Sequence, residues 1–205
     1  MSILGQIRDK GVNLVIPEDE FPEDRFSYFD GSVLVRLKDD EVAFARDYED
    51  RVSQTDTLKT ENYTGLNEAG RYYVGEVGTL AVVAYLRSCG VDLEYKPKSD
   101  GLSDKGDIVV PKIDGVLRMD VKTGSKRYYR KLMMPEAQFL KKKCDVYVGC
   151  LLMDKVRVVR ICGWLDLEDF TRRSVLVEMN RSVLTREFEL GDLKPIGELV
   201  EYLAG

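Results

Sequence analysis

Histidine is absent from the chain. That one absence removes zinc sites built on histidine, histidine-dependent triads and histidine general bases. Cysteine is scarce, and Cys89, Cys144, Cys150 and Cys162 form no C-x-x-C pair. Reduced core thiols are the expectation, as in an intracellular protein. No apolar run approaches the length of a membrane span, and the first eleven residues lack a signal-peptide h-region. A cytosolic (cytoplasmic) protein without membrane contact is therefore expected. Also lacking are a P-loop, a G-x-G-x-x-G, internal repeats and low-complexity tracts.

What is present suffices for a core. The 205 residues are 44% hydrophobic and 33% charged, which fits one domain with an added segment. Residues 1–60 read as an acidic N-terminal segment packed on or appended to a core at 61–205. From Glu18 to Asp50, twelve acids stand against four bases. Solvated surface is the plain reading; a contact for a protein partner, or a shield for a basic site, is the sharper one. Within this segment Ser32 to Leu37 reads as a strand. Asp39 to Val52 reads as a helix, with Asp39 or Asp40 as N-cap.

The most informative stretch is Gly106 to Gly124, GDIVVPKIDGVLRMDVKTG. Two apolar runs, each with one acid, flank Lys112 to Gly115, and Asp114-Gly115 signals a hairpin turn. Leu117, Met119 and Val121 alternate onto one face; Arg118, Asp120 and Lys122 take the other. Asp107 opens the partner strand and can sit across from Asp120. Two carboxylates aimed at one point repel unless a cation joins them, and a hard ion such as Mg²⁺ suits oxygen ligands. A lysine beside them can orient a water or neutralise charge on a phosphate. An ordinary ion pair on a solvated hairpin is the plain alternative.

Upstream, Asn67 to Cys89 reads as a long helix ended by Gly90. Gly75 and Gly78 thin one side for close packing on a sheet. Glu76 lies among apolar residues, where a carboxylate is costly unless paired or bound to metal. Leu93 to Lys96 reads as a strand, and Lys98 to Lys105 as a loop. Downstream, residues 122–143 hold eight bases and one acid in a chain of net charge −5. Lys126, Arg127, Tyr128, Tyr129, Arg130 and Lys131 interleave cations with rings, which suits a nucleic-acid surface. Pro135 to Lys142 is a helix carrying Gln138. Asp145 to Met153 and Val156 to Cys162 are strands, Trp164 through Phe170 a strand end and short helix. Leu193 to Leu203 is a closing amphipathic helix.

Gly106-Asp107, followed thirteen residues later by Asp120-Val121-Lys122, resembles the PD-(D/E)xK nuclease superfamily of restriction-endonuclease-like fold. The likeness runs from about Glu68 to Asp166, with glycine in place of the motif's proline. It implies an α/β fold: a mixed central β-sheet with a catalytic hairpin, flanked by the Asn67 and Pro135 helices. It further implies Mg²⁺, with Mn²⁺ as a substitute, held by Asp107, Asp120 and the main-chain carbonyl of Val121. Lys122 would act on the water. Glu76 matches the acid that the preceding helix supplies in that family. Gln138 stands as an accessory residue. The expected activity is hydrolysis of DNA phosphodiesters, endonucleolytic and directed at structured or branched DNA such as a junction. Two other classes stay open: a non-catalytic nucleic-acid-binding or assembly module on the same fold, and an unrelated enzyme acting on a phosphorylated metabolite. A homodimer is a further open expectation.

Overall fold

The computed structural model describes residues 24–55, 68–95, 106–141, 143–154, 156–179 and 183–205. The acidic stretch up to Glu23, the expected loop at 98–105, and Lys142 lie outside the described residues.

The architecture is mixed α/β. One sheet has seven strands: β1 (Phe26–Phe29), β2 (Ser32–Arg36), β3 (Glu94–Tyr95), β4 (Ile108–Lys112), β5 (Gly115–Gly124), β7 (Val146–Leu152) and β8 (Val158–Asp166). Their spatial order is β1-β2-β8-β7-β5-β4-β3. All neighbours are antiparallel except β5 and β7. A parallel pair needs a crossover connection. Here it runs through β6 (Lys131–Pro135) and α3 (Glu136–Lys141). A second sheet, β6-β10-β9, is completed by β9 (Val175–Met179) and β10 (Val183–Glu189). The remaining helices are α1 (Asp39–Thr55), α2 (Glu68–Ser88), α4 (Leu167–Arg173) and α5 (Ile196–Ala204). None of the described helices is long and apolar enough to cross a membrane.

Strand β2 and helix α1 form where the sequence pattern places them, and β2 joins the main sheet by pairing with β8. The cap of α1 differs from expectation. Glu41 reaches back to accept the Lys38 backbone N–H at 2.7 Å, which makes Lys38 the capping position. That is the glutamate half of a capping box, so Asp39 and Asp40 fall in the first turn, where acids favour the helix dipole. Helix α2 stops at a Schellman motif: Val91 N–H bonds the Leu86 carbonyl and Gly90 N–H the Arg87 carbonyl.

Two apolar layers sandwich the seven-stranded sheet. The first gathers Val42, Val77, Ala81, Tyr85, Leu199 and their neighbours from α1, α2 and α5 against Val33, Met119, Val121 and Val148. The second gathers Leu132, Met134, Phe139, Phe170 and Phe188 against Leu34, Tyr147, Leu151 and Leu165. Phe170 of α4 stacks on Tyr147 with centroids 4.0 Å apart. Truncating such a ring to alanine costs about 3–5 kcal/mol, so this contact fixes α4 over β7. Close approach fixes α2 on the opposite face. A Cβ at Gly78 would stand 1.8 Å from Thr123 Oγ1, so only glycine lets the helix lie this near β5.

Candidate active site

The β4–β5 ladder pairs Ile108 with Met119 and Lys112 with Gly115, which leaves Ile113 and Asp114 as the two turn residues. The turn is thus one residue earlier than the Asp114-Gly115 signal. The tip is wholly exposed at Ile113, so nothing packed decides its register. Continuing the ladder one step sets Asp107 opposite Asp120. The backbone departs from regular pairing there: Asp107 N–H donates to the Met119 carbonyl at 2.8 Å. Asp107 Oδ2 then accepts Val121 N–H at 2.9 Å. A side chain has taken the ladder position that a carbonyl would fill. In an antiparallel strand, one residue's N–H and C=O face the same neighbour. The Val121 carbonyl therefore faces the same side as its N–H, beyond the last β4 rung, where Asp107 sits.

Gly106 makes this departure possible. Its φ is +82°, and a Cβ there would stand 2.8 Å from the Met119 oxygen. Proline, locked near φ −65°, cannot occupy such a position. The glycine before Asp107 is thus required by the local backbone.

Asp120 pairs in parallel register with Tyr147, and its side chain lies on the Tyr147 face, away from α2. It is almost fully buried and meets Lys122 Nζ at 2.7 Å. Lys122, two residues along the same face, keeps some solvent contact, and Asp107 is half-buried. Cys144 and Tyr147 line the floor. Burial first, and then the charges of Asp120 and Asp107, push the Cys144 thiol up to about 12. Burial likewise raises the Tyr147 hydroxyl, which accepts the Cys144 backbone N–H at 3.1 Å. The acids and Lys122 carry the local charge.

Glu76 is buried on α2, the helix whose Gly78 lies against Thr123 of β5. Among the described residues, no three His, Cys, Asp or Glu side chains converge in a metal-holding group. This face offers two carboxylates and a main-chain carbonyl, an all-oxygen donor set suited to a hard divalent ion.

Past Gly124, four residues and about 13 Å beyond Asp120, the basic segment forms a held turn. Tyr129 N–H bonds the Lys126 carbonyl at 3.1 Å, and Leu190 N–H bonds the Arg130 carbonyl at 2.8 Å. Tyr129 packs on the second apolar layer, while Tyr128 is 60% exposed and meets it edge-on at 5.6 Å. Lys126 and Arg130 are exposed and Arg127 is half-buried. Lys131 is occupied otherwise: its Nζ lies 2.8 Å from Glu187 and 3.2 Å from Glu189. Gln138 is half-buried on α3, beside Phe139, whose ring is 6.1 Å from that of Tyr147.

Sequence reasoning missed Cys144 and Tyr147, because only the parallel β5–β7 register brings them under Asp120. No family model matches the sequence, and no curated protein is significantly similar to it.

Proposed function

We propose that the chain is a metal-dependent nuclease that hydrolyses DNA phosphodiester bonds, cutting internally. The observation that carries this reading is the joint placement of Asp107 and Asp120 on one face, with Lys122 2.7 Å from Asp120. The hairpin between α2 and α3 accords with the restriction-endonuclease-like arrangement that the resemblance implies.

Asp107, Asp120 and the Val121 carbonyl would hold Mg²⁺, or Mn²⁺ in its place. The ion supplies charge stabilisation to a phosphoryl oxygen and lowers the pKa of water. Asp107 is positioned through its own main chain and the Val121 N–H, so its carboxylate is pre-oriented. Lys122 shares Asp120 with the ion site and points along the same face. Its ammonium orients a water and neutralises charge that develops on the phosphate. With no histidine in the chain, proton release would pass to solvent or a carboxylate. Lys126, Arg127 and Arg130 would meet phosphates and Tyr128 a base. Glu76, buried on α2, would serve as a further ligand or a water-mediated partner of the ion.

The test is cleavage of linear duplex, single-stranded and branched DNA, with and without Mg²⁺. Metal-dependent cleavage of any of these, lost in Asp107→Asn, supports the reading. Binding without cleavage would leave the non-catalytic module. Neither binding nor cleavage would turn attention to small phosphorylated substrates.

A further inference from the structure

Resting on the nuclease reading, we infer that the DNA backbone crosses the site in both directions. One arm lies over the turn at Lys126–Arg130. The other runs over Arg118 into a cavity between α4 and the chain entering β7. That cavity is a shallow depression open to solvent, of about 600 Å³, lined by Lys143, Leu167, Glu168, Thr171 and Arg172.

Two backbone bonds tie it to the site. Asp145 N–H donates to the Arg118 carbonyl at 2.9 Å, and Leu167 N–H to the Asp145 carbonyl at 3.0 Å. The start of α4 therefore hangs on β5 two residues before Asp120. Phe170, on α4, stacks on Tyr147, the register partner of Asp120. Lys143 directly precedes Cys144, whose sulfur lies 3.4 Å from where a Gly106 Cβ would stand. Arg118 is exposed and shares the face of Asp120 and Lys122.

Arg118, Lys143 and Arg172 thus flank the acid pair at the end opposite the basic turn. Two acids share this flank. Asp145 turns its carboxylate onto the Arg118 N–H at 2.8 Å, and Glu168 lines the cavity. Asp169, which pairs with Arg172, Arg173 and Lys194, and Asp166, which also holds Lys194, add two more acids and two more cations, so five cations against four acids leave the flank positive by one charge, weaker than the turn but of the same sign. A strand held on both sides of the reacting phosphate is cut internally, whereas an end-directed enzyme closes one side.

The test is the double variant Lys143→Ala/Arg172→Ala in the full chain. Arg172 also contacts Asp169, but Asp169 keeps Lys194 at 2.7 Å and Arg173 at 3.4 Å, so the fold should hold. Binding to a duplex oligonucleotide is followed by anisotropy against salt, with Ca²⁺ in place of Mg²⁺. Lys143 should account for about one unit of the slope of log affinity against log salt, and Arg172, which Asp169 already holds, for less than one, so the double variant should lower the slope by about one to two units. Wild type should also nick closed-circular DNA. Lys143→Glu, at an exposed side chain, is the second variant and should weaken binding more than Lys143→Ala. Unchanged affinity and slope in both variants, while wild type binds and cleaves, would overturn the second arm and leave the nuclease reading standing. A wild type that neither binds nor cleaves DNA removes both.

Discussion

Replacing Gly106 by alanine should injure stability and activity together, through one backbone position. The left-handed region costs an L-residue about 1–2 kcal/mol. The added methyl would also stand 2.8 Å from the Met119 oxygen and 3.4 Å from the Arg118 Cβ and the Cys144 sulfur. Overpacking of that kind adds about 1–3 kcal/mol. The sum is roughly 2–5 kcal/mol, and a domain of this size loses about 2–4 °C per kcal/mol. Gly106→Ala should therefore lower Tm by roughly 4–20 °C. The relaxing backbone must move off the Met119 oxygen, which disturbs both bonds that orient Asp107. Gly106→Pro, with φ fixed on the wrong side, should be worse. Thermal unfolding by circular dichroism reads the first effect. Mg²⁺-dependent cleavage, measured well below either Tm, reads the second. Wild-type Tm and wild-type cleavage in Gly106→Ala would refute the positive φ and, with it, the explanation for glycine before Asp107.

Three further outcomes are expected. If Lys122 acts in the transition state, as proposed, Lys122→Met should lower kcat more than it weakens DNA binding; equal losses would recast it as a binding residue. Lys131→Ala should change the salt slope by well under the roughly 0.9 units of a phosphate contact, because Glu187 and Glu189 already hold its ammonium; a full-unit change in binding titrations would contradict this. Asp169 is held down to about 2 by the hydrogen bond from Lys194 and then that from Arg172, below its ordinary 3.8. A depressed carboxylate contributes stability above its unfolded value, lost as pH falls through the folded one. Lys194→Met should thus flatten the fall in stability between pH 4 and 2, followed by urea unfolding; an unaltered acid limb would count against the pairing.

The hairpin, the helices and the shared face of Arg118, Asp120 and Lys122 were legible because each rests on short-range periodicity. The close fit of α2 to the sheet was foreshadowed by Gly75 and Gly78, of which Gly78 makes the contact with Thr123. The β6-β10-β9 sheet was not legible. β6 is five residues long, sits beside the basic run and ends in proline. Its partner β10 lies some fifty residues on, paired from Pro135–Thr185 to Lys131–Glu189. The burial of Glu76 was readable, because α2 is apolar around most of its circumference. The Lys131 ion pairs could not be read, since Glu187 and Glu189 reach it only through that second sheet.

The central claim is that Asp107 and Asp120 form the hydrolytic centre. Its most direct test is single-turnover cleavage of a labelled DNA substrate by wild type and Asp120→Asn at matched Mg²⁺. Asparagine preserves the volume at this buried position, and Lys122 retains a path to solvent, so the variant should stay folded. The account predicts Mg²⁺-dependent cleavage by wild type and a loss of at least about a hundredfold in the variant, the scale of removing one transition-state contact. Near-normal turnover by a folded Asp120→Asn would contradict it.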